Sequence, residues 1–278
     1  MVAMLPVATV GPTFAQAVKV SEVARAALPA NVRDEGVFRV ATSLVWAPFA
    51  YKSDKDEAIG IDVSLMKAIA AKLGLKPEID DLKFPAIIPG VQSGRYHAGV
   101  DQLAISPQRL AAVDMIQYFD NGTSVLVPAG KSIKDINDLC GLTFDVTQGS
   151  FQVGLLNKLS DACVVAKKDP IAQQAYSSAA DTLLAISNGR GDAFLTATPQ
   201  GVYISRINSK VVLMKGEVID VERQRAGIVV QKDNAAMRKA VALALLSLME
   251  DGTYKSILDE FGVAQLGVSP EVVRKSAE

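Results

Sequence analysis

The sequence predicts an α/β protein built as two units, each a mostly parallel sheet flanked by helices. Three observations carry that expectation. From residue 37 onward, short strand-like runs alternate with helix-like runs, the pattern of a parallel sheet covered on both faces. The alternation reaches a strand at 123–130 and begins again after Gly130. Two runs, 123–127 and 226–230, are placed to pass between the units, and two such crossings make a hinge with a ligand cleft between the units.

In chain order, "SEVARAAL" has a short helical pattern, stopped by Pro29 and Gly36. "VFRVATS" (37–43) alternates like a strand entering a core, and "WAPFAY" (46–51) is an aromatic turn around Pro48. A helix follows with Asp62 as its N-cap, Met66, Ile69 and Leu73 at helical spacing, and Gly74 as its stop. A second short helix ends at Gly94 before a strand at 98–100, and "AISPQRLAAVDMI" is a loop with Pro107 and a short helix. The second unit reads as helix (132–141), strand (142–150), helix "FQVGLLNKL", strand "DACVVAK" (161–167), helix "AADTLLAISNG" and strand "DAFLT". A strand at 226–233, a long helix and a last turn, "YKSILDEFG", close the chain.

Composition narrows the function classes. The chain has 278 residues, 49% of them hydrophobic, enough for one large core or two medium ones. A net charge of −1 argues against nucleic acid or a membrane surface, both of which want a basic face. No apolar run approaches the roughly 18 residues of a membrane helix. The apolar N-terminus carries "AQA" (Ala15–Ala17), the A-x-A form of a signal-peptidase site, without a charged segment before Lys19. Residues 1–17 read as the remnant of a secretory signal that starts upstream, with a loose apolar arm as the alternative. Cys140 and Cys163 lie close enough in sequence to close a loop and are expected to pair in an oxidising compartment; two buried thiols are the alternative. Neither lies near Ala17, so the expected product is periplasmic, freely soluble and not a lipoprotein.

At this point a resemblance enters. "PFAY…IGIDVSLMKAIAAKLG…IIPGVQSGRYHAG…ISPQR…VDMIQYF", followed by "DLCG", "TQGS", "NGRGDA", "GIVVQKD" and "MEDGTYKSILDEFG", resembles the extracellular solute-binding proteins of family 3. These are the periplasmic polar-amino-acid-binding components of ABC importers. The likeness spans residues 36–262, and "DLCG" with a later cysteine resembles a disulfide-bearing subgroup. It implies a two-lobed periplasmic-binding-protein fold of type II with a two-strand hinge. After a helical arm at 18–35, lobe 1 is expected at 36–125 plus 228–278 and lobe 2 at 126–227. The hinge crossings fall near 123–129 and 224–229. It also implies one small carboxylated ligand, a membrane ABC permease as partner, a monomer, and no cofactor or metal.

The site residues follow from the residues and the resemblance together. A guanidinium grips a carboxylate through two parallel hydrogen bonds, and Arg109 matches the family's carboxylate-binding arginine. The alternative is a surface pair with Asp114. Ala104 stands where relatives often carry a hydroxyl, leaving its backbone N–H to assist. Gly149 and Ser150 precede a helix, an anion site by free N–H groups and helix dipole, or a plain N-cap. Trp46 and Phe84 match aromatics that flank the ligand and would sandwich an aliphatic or cationic group. Asp101 and Gln102 replace small polar residues at a strand end; Asp101 reads equally as a ligand counter-charge or as a solvated or ion-paired carboxylate. Asp62 reads mainly as a helix cap, and His97, the single histidine, as packing or surface, since one histidine makes neither metal site nor triad.

The stretch "TATP" is the most informative departure. The resemblance places an ammonium-binding aspartate at position 197, beside Thr198, and this chain has Ala197. A buried ammonium without a counter-charge is costly. The ligand therefore lacks an ordinary α-ammonium contact, or another acid such as Asp101 supplies the charge. The alternative to a transport receptor is an enzyme on the same scaffold, similar to cyclohexadienyl dehydratases acting on prephenate or arogenate. A membrane sensor domain is disfavoured by the lack of a membrane helix.

Overall fold

The computed structural model describes residues 18–131, 133, 136–214 and 224–277; the expected signal remnant at 1–17 lies outside them. Two five-stranded sheets organise the chain, with a small three-stranded sheet beside the first. The strands are β1 (Val37–Thr42), β2 (Val45–Trp46), β3 (Ala50–Lys52), β4 (Ala58–Ile59), β5 (Lys76–Asp81), β6 (Ala98–Gly99), β7 (Val113–Asn121), β8 (Thr123–Pro128), β9 (Thr143–Thr147), β10 (Ala172–Tyr176), β11 (Ala193–Ala197), β12 (Val211–Leu213) and β13 (Gln224–Gln231). The helices are α1 (Glu22–Ala26), α2 (Ala30–Glu35), α3 (Ile61–Leu73), α4 (Ile87–Gln92), α5 (Pro107–Ala112), α6 (Phe151–Val165), α7 (Ala179–Ser187), α8 (Thr198–Ile207), α9 (Ala235–Glu250), α10 (Thr253–Glu260) and α11 (Pro270–Ala277).

The first sheet has the order β5-β1-β6-β13-β7 and the second β10-β9-β11-β8-β12. In each, four strands point one way and one runs against them: β13 pairs antiparallel with β6 and β7, and β8 pairs antiparallel with β11 and β12. The reversed strand is the one that enters its sheet from the other lobe. The sheets are therefore mixed rather than mostly parallel in their pairings. Gly122 alone separates β7 in the first sheet from β8 in the second, which makes it one crossing; β13 begins the return at Gln224.

The inner strands of both sheets are buried on both faces, so their residues alternate between two apolar layers. Along β13, Ile228 and Val230 enter the layer under α3 and α9, while Val229 joins Ile87, Val91 and Met115 on the opposite face. Along β8, Val125 and Val127 pack with Phe144, Leu155 and Leu195, and Leu126 points the other way. Arg25 of the N-terminal arm donates to the Leu73 and Gly74 carbonyls, partnering groups that the end of α3 leaves free. Gly60, the residue before α3, has φ 116°, and a Cβ there would lie 2.3 Å from the Phe49 carbonyl oxygen. Only glycine permits that approach, and it brings α3 against the Trp46–Tyr51 turn.

Three local expectations are corrected. The stretch 161–167 is not a strand but the end of α6, which runs unbroken from Phe151 to Val165. Val164 and Val165 suggest a strand, yet they face solvent at 57% and 84% exposure, while Leu155, Leu156 and Cys163 hold the core at helical spacing. The strand itself is β10, "AQQAY", an edge strand with no buried residue and so no apolar signal. At 132–141 the described residues form only a single 3₁₀ turn, Ile136–Leu139. Asp62 is not the cap of α3; Gly60 holds that position and Asp62 lies wholly buried in the first turn.

Cys140 and Cys163 are disulfide-bonded with Cα atoms 5.6 Å apart, tying the start of the second lobe to the end of α6. The closed loop has a sequence separation of 23 residues, and loop-closure entropy for that length is worth about 3 kcal/mol. The C140S/C163S double variant is expected to lose stability on that scale in urea titration while its far-ultraviolet dichroism is unchanged.

Candidate functional site

The candidate site is a cavity between the lobes, lined from the first by Trp46, Phe84, Asp101, Gln102, Arg109 and Gln224, and from the second by Thr147, Ser150, Phe151, Gln152 and Ala197. Asp101, Thr147 and Ala197 sit at or just beyond the carboxyl ends of β6, β9 and β11, where open α/β sheets bind ligands.

Arg109 lies in α5, whose N-cap Ser106 accepts from the Arg109 backbone N–H. Its guanidinium donates to the Ala104 carbonyl at 2.9 Å and, across the cleft, to the Gly149 carbonyl at 2.9 Å. It also lies over the Phe84 ring at 5.7 Å, a cation–π distance. Burial lowers its pKa to about 10, with the Asp101 charge opposing that fall. It does not pair with Asp114, which is held by Lys232 and Arg238. The expected aromatic sandwich is thus half-used already: Phe84 supports Arg109 on its face. Trp46 lines the cavity with its indole N–H buried and unpartnered.

Asp101 is 2% exposed. Ser43 donates its hydroxyl to one carboxylate oxygen and the other oxygen has no partner. Burial drives its pKa well above the carboxylate range, and the neighbouring Asp62 and Asp81 add to the rise. Neither the solvated nor the ion-paired reading of Asp101 survives: it is buried, and its partner is a hydroxyl.

Gln102 takes the left-handed backbone conformation at φ 51°. Its N–H donates to Asp62 at 3.1 Å, its side-chain oxygen accepts from Asn121 at 2.8 Å, and its carbonyl accepts from Gln224 at 3.1 Å. Asn121 ends β7 and Gln224 begins β13, so this one residue touches both strands beside the lobe crossings. Asp62 also accepts from the Tyr118 hydroxyl at 2.6 Å. Burial raises Asp62 to about 7, against the downward pull of those two hydrogen bonds.

Among the described residues, those lining the cavity from the second lobe carry no charge. Ser150 is the N-cap of α6 but makes no side-chain cap; its hydroxyl is buried and unpartnered beside the cavity. Ala197 ends β11 as the N-cap of α8, a helix that the sequence reading did not anticipate. The Thr198 N–H donates to the Gly122 carbonyl and Pro199 has none to offer. A helix N-terminus without an acid is a poor place for an ammonium.

Some expected residues fall outside the cavity wall. Thr198 bonds Ser124 at 2.9 Å and faces a groove on the hinge side with Tyr51 and Tyr203. Gly149 and Ala104 serve through their carbonyls, as the acceptors that hold Arg109. His97 is buried, stacks on Phe38 and accepts from the Arg39 N–H. Conversely, Thr147, Phe151, Gln152 and Gln224 line the cavity without having been singled out. The first three flank "QGS", and the strand-tip rule applied one residue either side reaches them. Gln224 gives no comparable signal.

The geometry agrees with comparison. Residues 38–264 match the family model of bacterial extracellular solute-binding proteins, family 3. The chain belongs to that family. It is 27% identical over 235 residues to the probable amino-acid-binding protein YxeM of Bacillus subtilis, covering 82% of this chain and 84% of that one. It is 22% identical over 243 residues to the arginine-binding protein ArgT of Corynebacterium glutamicum, covering 87% and 79%. Its fold superposes on an ancestral arginine-binding protein bound to glutamine with a TM-score of 0.73 at 28% identity, covering 82% of this chain and 98% of that one.

The buried acid under the site sets a pH dependence. An unfolded aspartate titrates near 3.9 and folded Asp62 near 7. Between those values the folded state holds the extra proton, so stability falls as pH rises through that window and levels above it. The melting temperature of Asp62→Asn, subtracted from that of the wild type, is expected to show this fall between pH 5 and pH 8 in calorimetry. Parallel profiles would mean that Asp62 stays ionised throughout.

Proposed function

We propose that this chain is the periplasmic receptor of an ABC importer, capturing a small carboxylated, amino-acid-like ligand between its lobes and presenting it to the membrane permease. The observation that carries the reading is the set of unpartnered polar atoms. Buried polar groups in folded proteins are nearly always hydrogen-bonded. Here Trp46, Asp101, Gln102, Ser150 and Gln224 each hold a buried polar atom without a partner, and all five line one cavity between the lobes. A small polar molecule would satisfy them together. Arg109, held by the Ala104 carbonyl, takes the ligand carboxylate, the Ser150 end of α6 assists it, and Trp46 packs against the remainder. Closure then brings the two walls onto the ligand, and the closed form is what the permease reads. No covalent step is needed.

Ala197 gives the ligand its second property. With Ala197 in place of an aspartate and no acid among the described residues of the second-lobe wall, a standard α-amino acid is not held through its ammonium in the family's usual way. Export to an oxidising compartment fits the A-x-A segment and the disulfide.

A second reading has one observation in its favour. Asp101 is a buried acid whose pKa burial raises well above the usual carboxylate value, and its cavity also holds Arg109. That pairing suits a dehydratase acting on a carboxylated ring such as prephenate, with Asp101 as general acid.

The two separate in one experiment. Ligand-dependent thermal stabilisation that saturates with carboxylated amino compounds, with no consumption of prephenate, is expected. Prephenate turnover with no stabilisation by any such compound would overturn the transport reading. Arg109→Ala is expected to abolish binding of every carboxylated ligand that stabilises the wild type; retained affinity would remove Arg109 from its role.

A further inference from the structure

A second cavity, of about 900 Å³, lies outside the cleft beside the Gly122 crossing. Asn121 and Gly122 line it at the crossing itself. The first lobe adds Tyr51 of β3, Asp120 of β7 and Glu260 of α10, and the second adds Tyr203 and Arg206 of α8. The Tyr51 and Tyr203 rings, one from each lobe, have centroids 6.4 Å apart and are tilted by 45°. Burial raises the pKa of Tyr51, and Tyr203 and Glu260 add to the rise, so the Glu260 carboxylate is within electrostatic reach of the ring pair. Asn121 is 2% exposed. Its side-chain nitrogen donates to Gln102 at 2.8 Å, and its side-chain oxygen has no partner among the described residues. A buried amide oxygen is seldom left so. Asp120 accepts from the neighbouring Asn121 N–H, and neither Asp120 nor Glu260 forms an ion pair among the described residues. Two carboxylates, one guanidinium, two tyrosine rings and a buried acceptor oxygen suit a cation with N–H donors. The volume is many times that of an ammonium and leaves room for a ring to pack on the tyrosines.

We propose that this hinge-side groove is a second ligand site, separate from the cleft, for a small aromatic amine. The Asn121 oxygen and the two carboxylates draw its ammonium, and Tyr51 and Tyr203 receive its ring. An acid of the same shape meets Asp120 and Glu260 with like charge, and a neutral phenol gives them no counter-charge. The site is linked to the cleft in two ways. Its walls come from both lobes and meet at the one residue between β7 and β8, so an occupant resting on Tyr51 and Tyr203 holds the lobes in the arrangement seen here. Gln102, the partner of Asn121, lines the cleft cavity, so one side-chain hydrogen bond joins the two cavities. A molecule that binds one lobe arrangement better than another shifts the population toward it, and affinity at the cleft shifts with it.

The test is titration of the full chain with tyramine, followed by calorimetry and by the emission of Trp46, the single tryptophan, which lines the cleft cavity. The shape controls are 4-hydroxyphenylacetate and 4-ethylphenol. Tyramine is expected to bind saturably, roughly fivefold or more tightly than either control, and to change the Trp46 emission. Glu260→Gln and Tyr203→Ala are each expected to weaken it by roughly fivefold or more. Melting temperatures of the ligand-free variants exclude unfolding, and should Tyr203→Ala fail to fold, Glu260→Gln, at an exposed position, decides alone. No saturable binding of tyramine, controls that bind as well, or an affinity unchanged by these substitutions would overturn the site. A larger loss on Arg109→Ala than on Glu260→Gln would place tyramine in the cleft and overturn it equally. Binding that meets every expectation at the groove without changing the Trp46 emission would overturn the linkage to the cleft and leave the site standing.

Discussion

One buried carboxylate holds the floor of the cleft together. Asp62 receives the Tyr118 hydroxyl through one oxygen and the Gln102 N–H through the other. Those bonds join three separate pieces: the first turn of α3, the long strand that leads to the Gly122 crossing, and the loop that carries Asp101 and Gln102. The same strand is gripped from behind, where Tyr254 donates to the Tyr118 carbonyl. The left-handed backbone at Gln102 is costly for a non-glycine residue and persists only where its surroundings fix it. Asp62 is the group that fixes it, and Gln102 in turn orients Gln224 and contacts Asn121.

From that floor follows a division of labour. Among the described residues, the first lobe supplies the charges on the cavity wall, on a platform braced by Asp62, Ser43 and Phe84. The second lobe supplies Thr147, Ser150, Phe151, Gln152 and Ala197, none of them charged. A ligand therefore meets its electrostatic partners on one surface before the other closes over it. One hydrogen bond that spans the cleft from the protein side runs from Arg109 to the Gly149 carbonyl. It links the carboxylate-binding group directly to the segment that opens α6, so the position of the second lobe depends on the same guanidinium that receives the ligand.

Much of this was legible in the sequence, and the reasons are specific. Two β-α units and the lobe crossings were readable because buried strands such as β8 and β13 are continuous apolar runs between turn residues. Arg109, Trp46 and Phe84 were readable through the family resemblance, and Asp101 and Gln102 as departures from it at a strand end. What failed was where sequence and burial disagree. β10 is polar and exposed, so it has no pattern, while two solvent-facing valines at the end of α6 mimic one. Asp62 looked like a cap because a capping residue and a buried structural acid share a sequence position; only the placement of Tyr118 and Gln102, 56 and 40 residues away, tells them apart. Gln224 was out of reach for the same reason: its role depends on a carbonyl 122 residues away.

Ala197 shows how an absence can be interpreted once its surroundings are known. Read alone, it is a missing carboxylate. In the structure it is also the start of a helix whose first N–H is satisfied by Gly122 and whose second position is proline. The strand end therefore presents a methyl group to the cavity with the positive end of a helix dipole behind it. Restoring an aspartate there would add a buried charge facing a cavity that already holds one raised acid, Asp101, on the opposite wall. Two carboxylates about one small ligand would compete for a single cation or hold a proton between them. With one acid, the chain avoids that conflict, and the acid it has lies on the lobe whose hydrogen bonds reach the hinge.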